Sequence, residues 1–262
     1  FNIGDSKSKI TKWNSDSKII GYTGGIVSAA NARMYAYEGE TWGDIWGFET
    51  DRYFTEADFN GKDANGKWIY NKGVADQTGI QTNNFVYGPG DIKFKDLNGD
   101  GKIDGGKGTA EDHGDLKVIG NTLPRYEYSF HLGGSWKGID LDLFFQGVGK
   151  RDMWTQSSFV FPLMRDADKA IYANQTDYNI YDPENGIVDI SQSNRYPCLY
   201  SGNEAAGNVS GLAPIGGSHN YYPQTKYLVN MAYLRLKNVT IGYTLPASIT
   251  KKVYMEKVRF YG

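Results

Sequence analysis

A chain of 262 residues can bury a core as one large domain or as two smaller ones. Aromatic residues make up 15% of it and glycine is found 33 times, a mixture that suits strands and turns and disfavours helices, so the class expected is all-β. The 28 basic and 30 acidic residues leave a net charge of −2, which removes any electrostatic case for nucleic acid, and the single Cys198 excludes an internal disulfide framework.

From the N-terminus, KIIGYTGG, ARMYAYEG and IWGFETDRYF read as short strands separated by Gly and Asn turns. Next comes DIKFKDLNGDGKID, residues 91–104. An EF-hand-type calcium loop places oxygen ligands at positions 1, 3 and 5, a turn glycine at 6, a backbone carbonyl at 7 and a further ligand at 9. Asp96, Asn98, Asp100, Gly101, Lys102 and Asp104 fill those positions in order. Position 12, where a bidentate carboxylate closes the shell, is Lys107, which cannot ligate a cation. Glu111, Asp112 and Asp115 lie in or just past a Gly-rich insert, GGKGTAEDHG, flexible enough to bring one of them back. The flanks alternate or turn instead of forming helices, so no EF-hand is completed; the plainer alternative is an Asx-rich turn that satisfies its own backbone.

Residues 125–136, RYEYSFHLGGSW, set Tyr126, Tyr128, Phe130 and Leu132 on one face against Glu127, Ser129 and His131. After a tight turn at Lys137 and Gly138, IDLDLFFQGVG sets Ile139, Leu141, Leu143 and Phe145 against Asp140, Asp142, Phe144 and Gln146. Together they read as an antiparallel hairpin with one apolar face and one that meets water, as in a soluble sandwich or in a strand lining a watery lumen. No run approaches the ~18 apolar residues of a membrane helix, which excludes helical spanning only. Asp140 and Asp142 share a face ~7 Å apart on neighbouring pleats, but no feature makes one of them an acid, so no catalysis is expected.

From Phe159 to Gln224 the chain is polar and turn-rich, apart from Arg165 to Ala173, which reads as a short helix. Residues 155–225 are accordingly expected to form a long outer loop region, a kind of segment that is usually functional. Exposed aromatic rings beside amides and carboxylates suit the CH faces and hydroxyls of sugars, which makes Trp154, Tyr172, Tyr178, Tyr181 and Tyr196 candidates for contact with a ligand. Further on, LRLKNVTIGYTLP breaks parity: Leu234 and Leu236 fall on one face, Val239, Ile241 and Tyr243 on the other, so a bulge near Asn238 or a change of environment is expected. KKVYMEKVRFYG reads as one more strand.

Several of these stretches resemble a known family. GDIKFKDLNGDGKID followed by IGNTLPRYEYSFHLGGSWKGIDLDLFFQGVGKRDMW is similar to the C-terminal part of the SusC/RagA group of TonB-dependent outer-membrane transporters of Bacteroidetes, and FNIGDSKSKITKW, EGETWGDIWGFETDRYF and YLRLKNVTIGYTLP agree in the same order. The resemblance implies a bacterial outer-membrane barrel of ~22 strands with a plugged lumen. The fold expected over 1–262 is then part of that barrel: antiparallel transmembrane β-barrel strands in outer-membrane lipid, with long polar extracellular loops. It also implies active import of oligosaccharide, or of peptide in some members, under a SusD-like surface lipoprotein and driven by the TonB complex. By the family pattern the N-terminal plug, the TonB-contacting segment and the last strand are absent here, and more chain must complete the wall, because an open strand edge in lipid leaves backbone groups unpaired. The resemblance further implies a structural Ca2+ with Asp115 as its closing ligand, ahead of Glu111. A secreted or surface β-rich carbohydrate-binding module with structural calcium is the alternative from another class, and a glycoside hydrolase a remote third.

Overall fold

Alternation of apolar and polar residues over three stretches of 12 builds the longest ladders of the chain: Arg125–Trp136, Ile139–Lys150 and Tyr233–Thr244. These are strands β2, β3 and β4 of an antiparallel five-stranded sheet, flanked by β1 (Asn2–Gly4) and β5 (Arg259–Tyr261) in the spatial order β1-β2-β3-β4-β5. The computed structural model describes residues 1–12, 19–21, 35–81, 85–155, 157, 159–162, 171–199 and 219–262.

The β2–β3 turn has positive φ at both central residues, 48° at Lys137 and 86° at Gly138, which is the backbone that matches the twist of a two-residue hairpin. Glycine is needed at 138 for a second reason: a Cβ there would stand 2.7 Å from the carbonyl oxygen of Thr244, at the end of β4. Along β3 and β4 the pairing passes from Phe144 opposite Asn238 to Phe145 opposite Leu236, so Lys237 is an extra, bulged residue. That is the bulge the parity break calls for. The last segment departs from its expected form. Only Arg259–Tyr261 of KKVYMEKVRFYG is strand; Ala247–Thr250 and Lys251–Val253 form short helical turns after Pro246.

Two compact units divide the chain: residues 1–8, 123–152 and 230–262 form the first, built on this sheet, and residues 9–122 and 153–229 the second. The described part of the expected 155–225 loop region packs into the same unit as residues 9–122. The second unit is assembled from short antiparallel pairs: Asp44–Phe48 with Leu116–Asn121, Thr50–Tyr53 with Ile92–Phe94, Phe59–Lys62 with Trp68–Tyr70, and Ile180–Asp182 with Ile187–Asp189. IWGFETDRYF is thus two strands. Of the short-helix expectation, residues 165–170 lie outside the described residues and Ala173 opens a single 3-10 turn, Ala173–Gln175.

The core of the second unit is mainly aromatic. Phe48, Phe54, Phe85, Tyr87, Phe94, Phe161, Tyr196 and Tyr221 are all buried, with Phe48 stacked on Phe94 at 4.9 Å between centroids and Phe161 against Tyr221 at 4.6 Å. Each such side chain contributes about 1.5–3 kcal/mol by leaving water. A composition with 40% hydrophobic residues cannot fill an interior with these alone, and buried amides complete it. Gln77 accepts from the N–H of Phe94 at 2.6 Å and donates to the carbonyl of Ile92 at 3.1 Å, standing in for a missing strand partner. Asn220 accepts from the N–H of Ile92 at 2.9 Å and donates to Asp91 at 2.8 Å, so a distant segment closes the same ladder. Buried polar groups partnered in this way add specificity without a desolvation penalty left over.

Candidate membrane-facing sheet and acidic loop

The sheet is sorted by side into two chemistries. Pairing puts Ile3 beside Tyr128, Phe130 beside Phe145 and Leu236, Leu132 beside Leu143 and Val239, and Trp136 beside Ile139, Tyr243 and Phe260. Because the bulge at Lys237 restores the phase, Leu234 and Leu236 lie on the same side as Val239, Ile241 and Tyr243. This apolar face is bare: Leu132 is 56% exposed, Trp136 70%, Leu234 56% and Ile241 57%. Single exposed apolar residues are ordinary, but a contiguous face of this extent marks a partner or a membrane.

The opposite side carries Glu127, Ser129, His131, Asp140, Asp142, Gln146, Arg235, Asn238 and Thr240. Arg259 grips Asp140 through two hydrogen bonds, one of them 3.0 Å from Nε, and His131 stacks on Phe144 at 4.4 Å with its Nδ1 3.6 Å from Asp142. Asp140 is held by an arginine and Asp142 stands beside a histidine, so the two carboxylates are not arranged as a catalytic pair. Strands of 12 residues exceed the ~9–11 that a tilted strand needs to cross a bilayer. Among the described residues no helix is long and apolar enough to cross a membrane.

In the acidic loop the side chains at positions 1, 3, 5 and 9 turn back on the chain. Asp96 accepts from the N–H of Gly99 at 2.6 Å and of Gly101 at 2.8 Å, Asn98 from Asp100 at 2.9 Å, Asp100 from Lys102 at 2.8 Å and Asp104 from Gly106 at 2.7 Å. Gly99 and Gly101 have φ of 76° and 83°, a conformation that favours glycine at both. Asp115 is the residue brought back onto the loop. Its carboxylate accepts from the N–H of Leu97 at 2.7 Å and of Asp104 at 3.0 Å, joining the start of the loop to its ninth position, and it is fully buried. Burial is the main cause that pushes its carboxyl above the usual carboxylate range, aided by the negative charge of Asp96 and opposed by those N–H bonds. The insert between closes on itself: Thr109 and Asp112 bond across a turn, Asp115 N–H donates to the Asp104 carbonyl at 2.9 Å, and Glu111 stays exposed. The donor set is all oxygen, the chemistry of a hard cation, and Lys102 would enter it through its carbonyl. No three His, Cys, Asp or Glu side chains converge as a metal shell among the described residues.

The five aromatic candidates separate by burial. Tyr196 has no exposed surface and stacks on Tyr227 at 6.1 Å, so it is core and offers nothing to a ligand, which corrects its place among the contact residues. Trp154 and Tyr178 are half-buried against the same core. Tyr181 is half-exposed, donates its hydroxyl to Glu56 at 3.0 Å and lies 6.0 Å from Trp68; burial and Glu56 push that hydroxyl up to about 12. Tyr172 is 41% exposed and stacks on the more exposed Phe159 at 5.2 Å. Sequence reading had no signal for these differences, because burial here depends on contacts between segments far apart in the chain.

No known family profile matches the chain. Over all 262 residues it is 24% identical to TonB-dependent receptor P3 of Formosa agariphila, of which it covers 21%. Among solved structures it matches a chain of the RagAB peptide importer in its closed-closed state, at 15% identity and a TM-score of 0.44, covering 99% of this chain and 22% of that one. The chain therefore spans about a fifth of the length of the relatives it matches.

Proposed function

Homology to a TonB-dependent receptor runs the whole length of the chain, and from it we propose that these residues form part of the barrel wall of an outer-membrane importer, with the aromatic-cored unit as its ligand-handling part. The observation that carries the reading is the one-sided sheet, whose bare apolar face suits lipid while the polar face suits a watery lumen. Import in such a system draws on the TonB complex, and we read a SusD-like surface lipoprotein as the second partner. The relative is named as a receptor, and Asp140 and Asp142 are engaged by different side chains, so we read no catalytic role for them.

The cargo inferred is a glycan. Tyr172 and Tyr181 support it, two accessible rings of the kind that stack on sugars, the second beside the carboxylate of Glu56. The acidic loop is read as a structural Ca2+ clasp formed by Asp96, Asn98, Asp100, the Lys102 carbonyl, Asp104 and Asp115. What supports it is a buried carboxylate facing another negative charge, which a divalent cation would offset. Two experiments test the function. Full-length protein that is monodisperse in water without detergent would rule out the wall. A deletion strain that loses growth on one glycan assigns the cargo, whereas loss on peptides alone overturns the glycan and keeps the importer.

A further inference from the structure

In the aromatic-cored unit a cavity of about 390 Å3 opens beside the Thr50–Tyr53 strand, with Gln192, Thr225 and Lys226 on its other walls. Two cations line it. Arg52 is already neutralised, its guanidinium donating to both oxygens of Asp58 at 2.5 and 2.7 Å. Asp51, the acid on the wall, is taken by Lys93 at 2.6 Å. Lys226 has no such counter-charge: no carboxylate among the described residues lies within ion-pair distance of it, and Asp177 acts on it only from farther away.

The ammonium is nonetheless held in place. It sits over the ring of Tyr53, 4.7 Å from the centroid, and donates to the carbonyl of Asn194 at 3.2 Å, which leaves the rest of its three N–H donors for a ligand. Partial desolvation pushes its pKa below the usual lysine value, the penalty that an arriving anion would relieve. The neutral walls are fixed by the chain itself: Gln192 bonds both the N–H and the carbonyl of Tyr53, and Thr225 accepts from the N–H of Thr50. An open cavity with hydrogen-bonded neutral walls and one uncompensated cation favours negative charge.

We propose that this cavity is a subsite for a carboxylate carried by the ligand, with Lys226 as the residue that pairs with it. The inference rests on the import reading for the ligand being cargo, and names its chemistry as acidic. Both a uronic-acid sugar and an acidic peptide present that group.

The test uses full-length protein in detergent and three probes measured by calorimetry: a galacturonate hexamer, a glutamate hexapeptide and uncharged maltohexaose. Expected is binding of an acidic probe that weakens about tenfold or more in Lys226→Gln, the loss of one charge-assisted contact, and is recovered by Lys226→Arg. Maltohexaose should be indifferent to both substitutions. Whichever acidic probe binds more tightly assigns the source of the carboxylate. Failure of both acidic probes to bind, or equal binding by Lys226→Gln and wild type, overturns the subsite. Binding through Lys226 without uptake of that probe by cells overturns the import reading and leaves the subsite standing.

Discussion

Leu236 and Val239 face the same way along β4 although three positions separate them, because Lys237 is bulged out between the Phe145–Leu236 and Phe144–Asn238 pairs. Removing that one residue leaves Leu234, Leu236, Val239 and Ile241 at alternate positions of an unbroken strand, all on the apolar face, with Phe145–Leu236 and Phe144–Asn238 as consecutive pairs. Deletion of Lys237 should therefore retain the compact, heat-modifiable form of the full-length protein on unheated gels, whereas one alanine inserted between Val239 and Thr240, which turns Ile241 and Tyr243 to the polar face, should abolish it. Loss of the compact form in the deletion would show that the bulge itself is needed.

The two sides of the sheet should also differ in their tolerance of charge. Leu143 stands mid-strand between Leu132 and Val239 on the apolar face, and Thr240 stands opposite Asp142 on the polar one. In a bilayer Leu143→Arg should cost about 2–4 kcal/mol, while Thr240→Arg, beside a carboxylate, should cost little. Denaturant unfolding of full-length protein reconstituted in lipid measures both. Equal costs would remove the distinction between lipid and lumen.

Tyr196 and Tyr172 make the corresponding contrast in the aromatic-cored unit. Tyr196→Ala empties a fully buried position and should destabilise the unit by about 3–5 kcal/mol, the range for large aromatic truncations. Tyr172→Ala removes an exposed ring and should change stability by no more than about 0.5 kcal/mol, while lowering uptake if that ring meets cargo. Proteolytic susceptibility of the 9–122 and 153–229 segments under native conditions reports the first effect, and transport assays the second. An unchanged protease pattern in Tyr196→Ala would contradict its place in the core.

These contrasts mark where the sequence was legible. Period-two patterning is a local signal, so the faces of β2 and β3, the Lys137-Gly138 turn and the anomaly near Asn238 are all readable from neighbours in the chain. The aromatic-cored unit is not local. Tyr196, Tyr221 and Tyr227 reach Tyr53 and Phe54 from far along the chain, and a tyrosine in a polar, turn-rich stretch reads as exposed until its partner is known. Lys226 shows the same limit, since only the fold reveals that Asp51 and Asp58 are taken by other cations. Asp115 lies between the two cases: spacing alone left three carboxylates in play, and the choice among them needed a pattern longer than the loop.

Asp115 gives the last prediction, with a definite sign. An acid whose pKa is raised on folding binds its proton more tightly in the folded state, so its contribution to stability is present below the unfolded pKa and is lost as pH rises through the folded one. In the presence of a chelator, the protection of the loop should therefore weaken as pH is raised through the carboxylate range and above it. Calcium would reverse this by stabilising the charged carboxylate, so excess Ca2+ should remove the weakening. Hydrogen exchange at the amides of Leu97 and Asp104, both of which donate to Asp115, reads the effect directly once intrinsic rates are divided out. Asp115→Asn should be insensitive to both pH and calcium in this assay. Protection that falls with pH in wild type but ignores calcium would retain the buried acid and dispose of the clasp, leaving the loop as an Asx-rich turn that satisfies its own backbone.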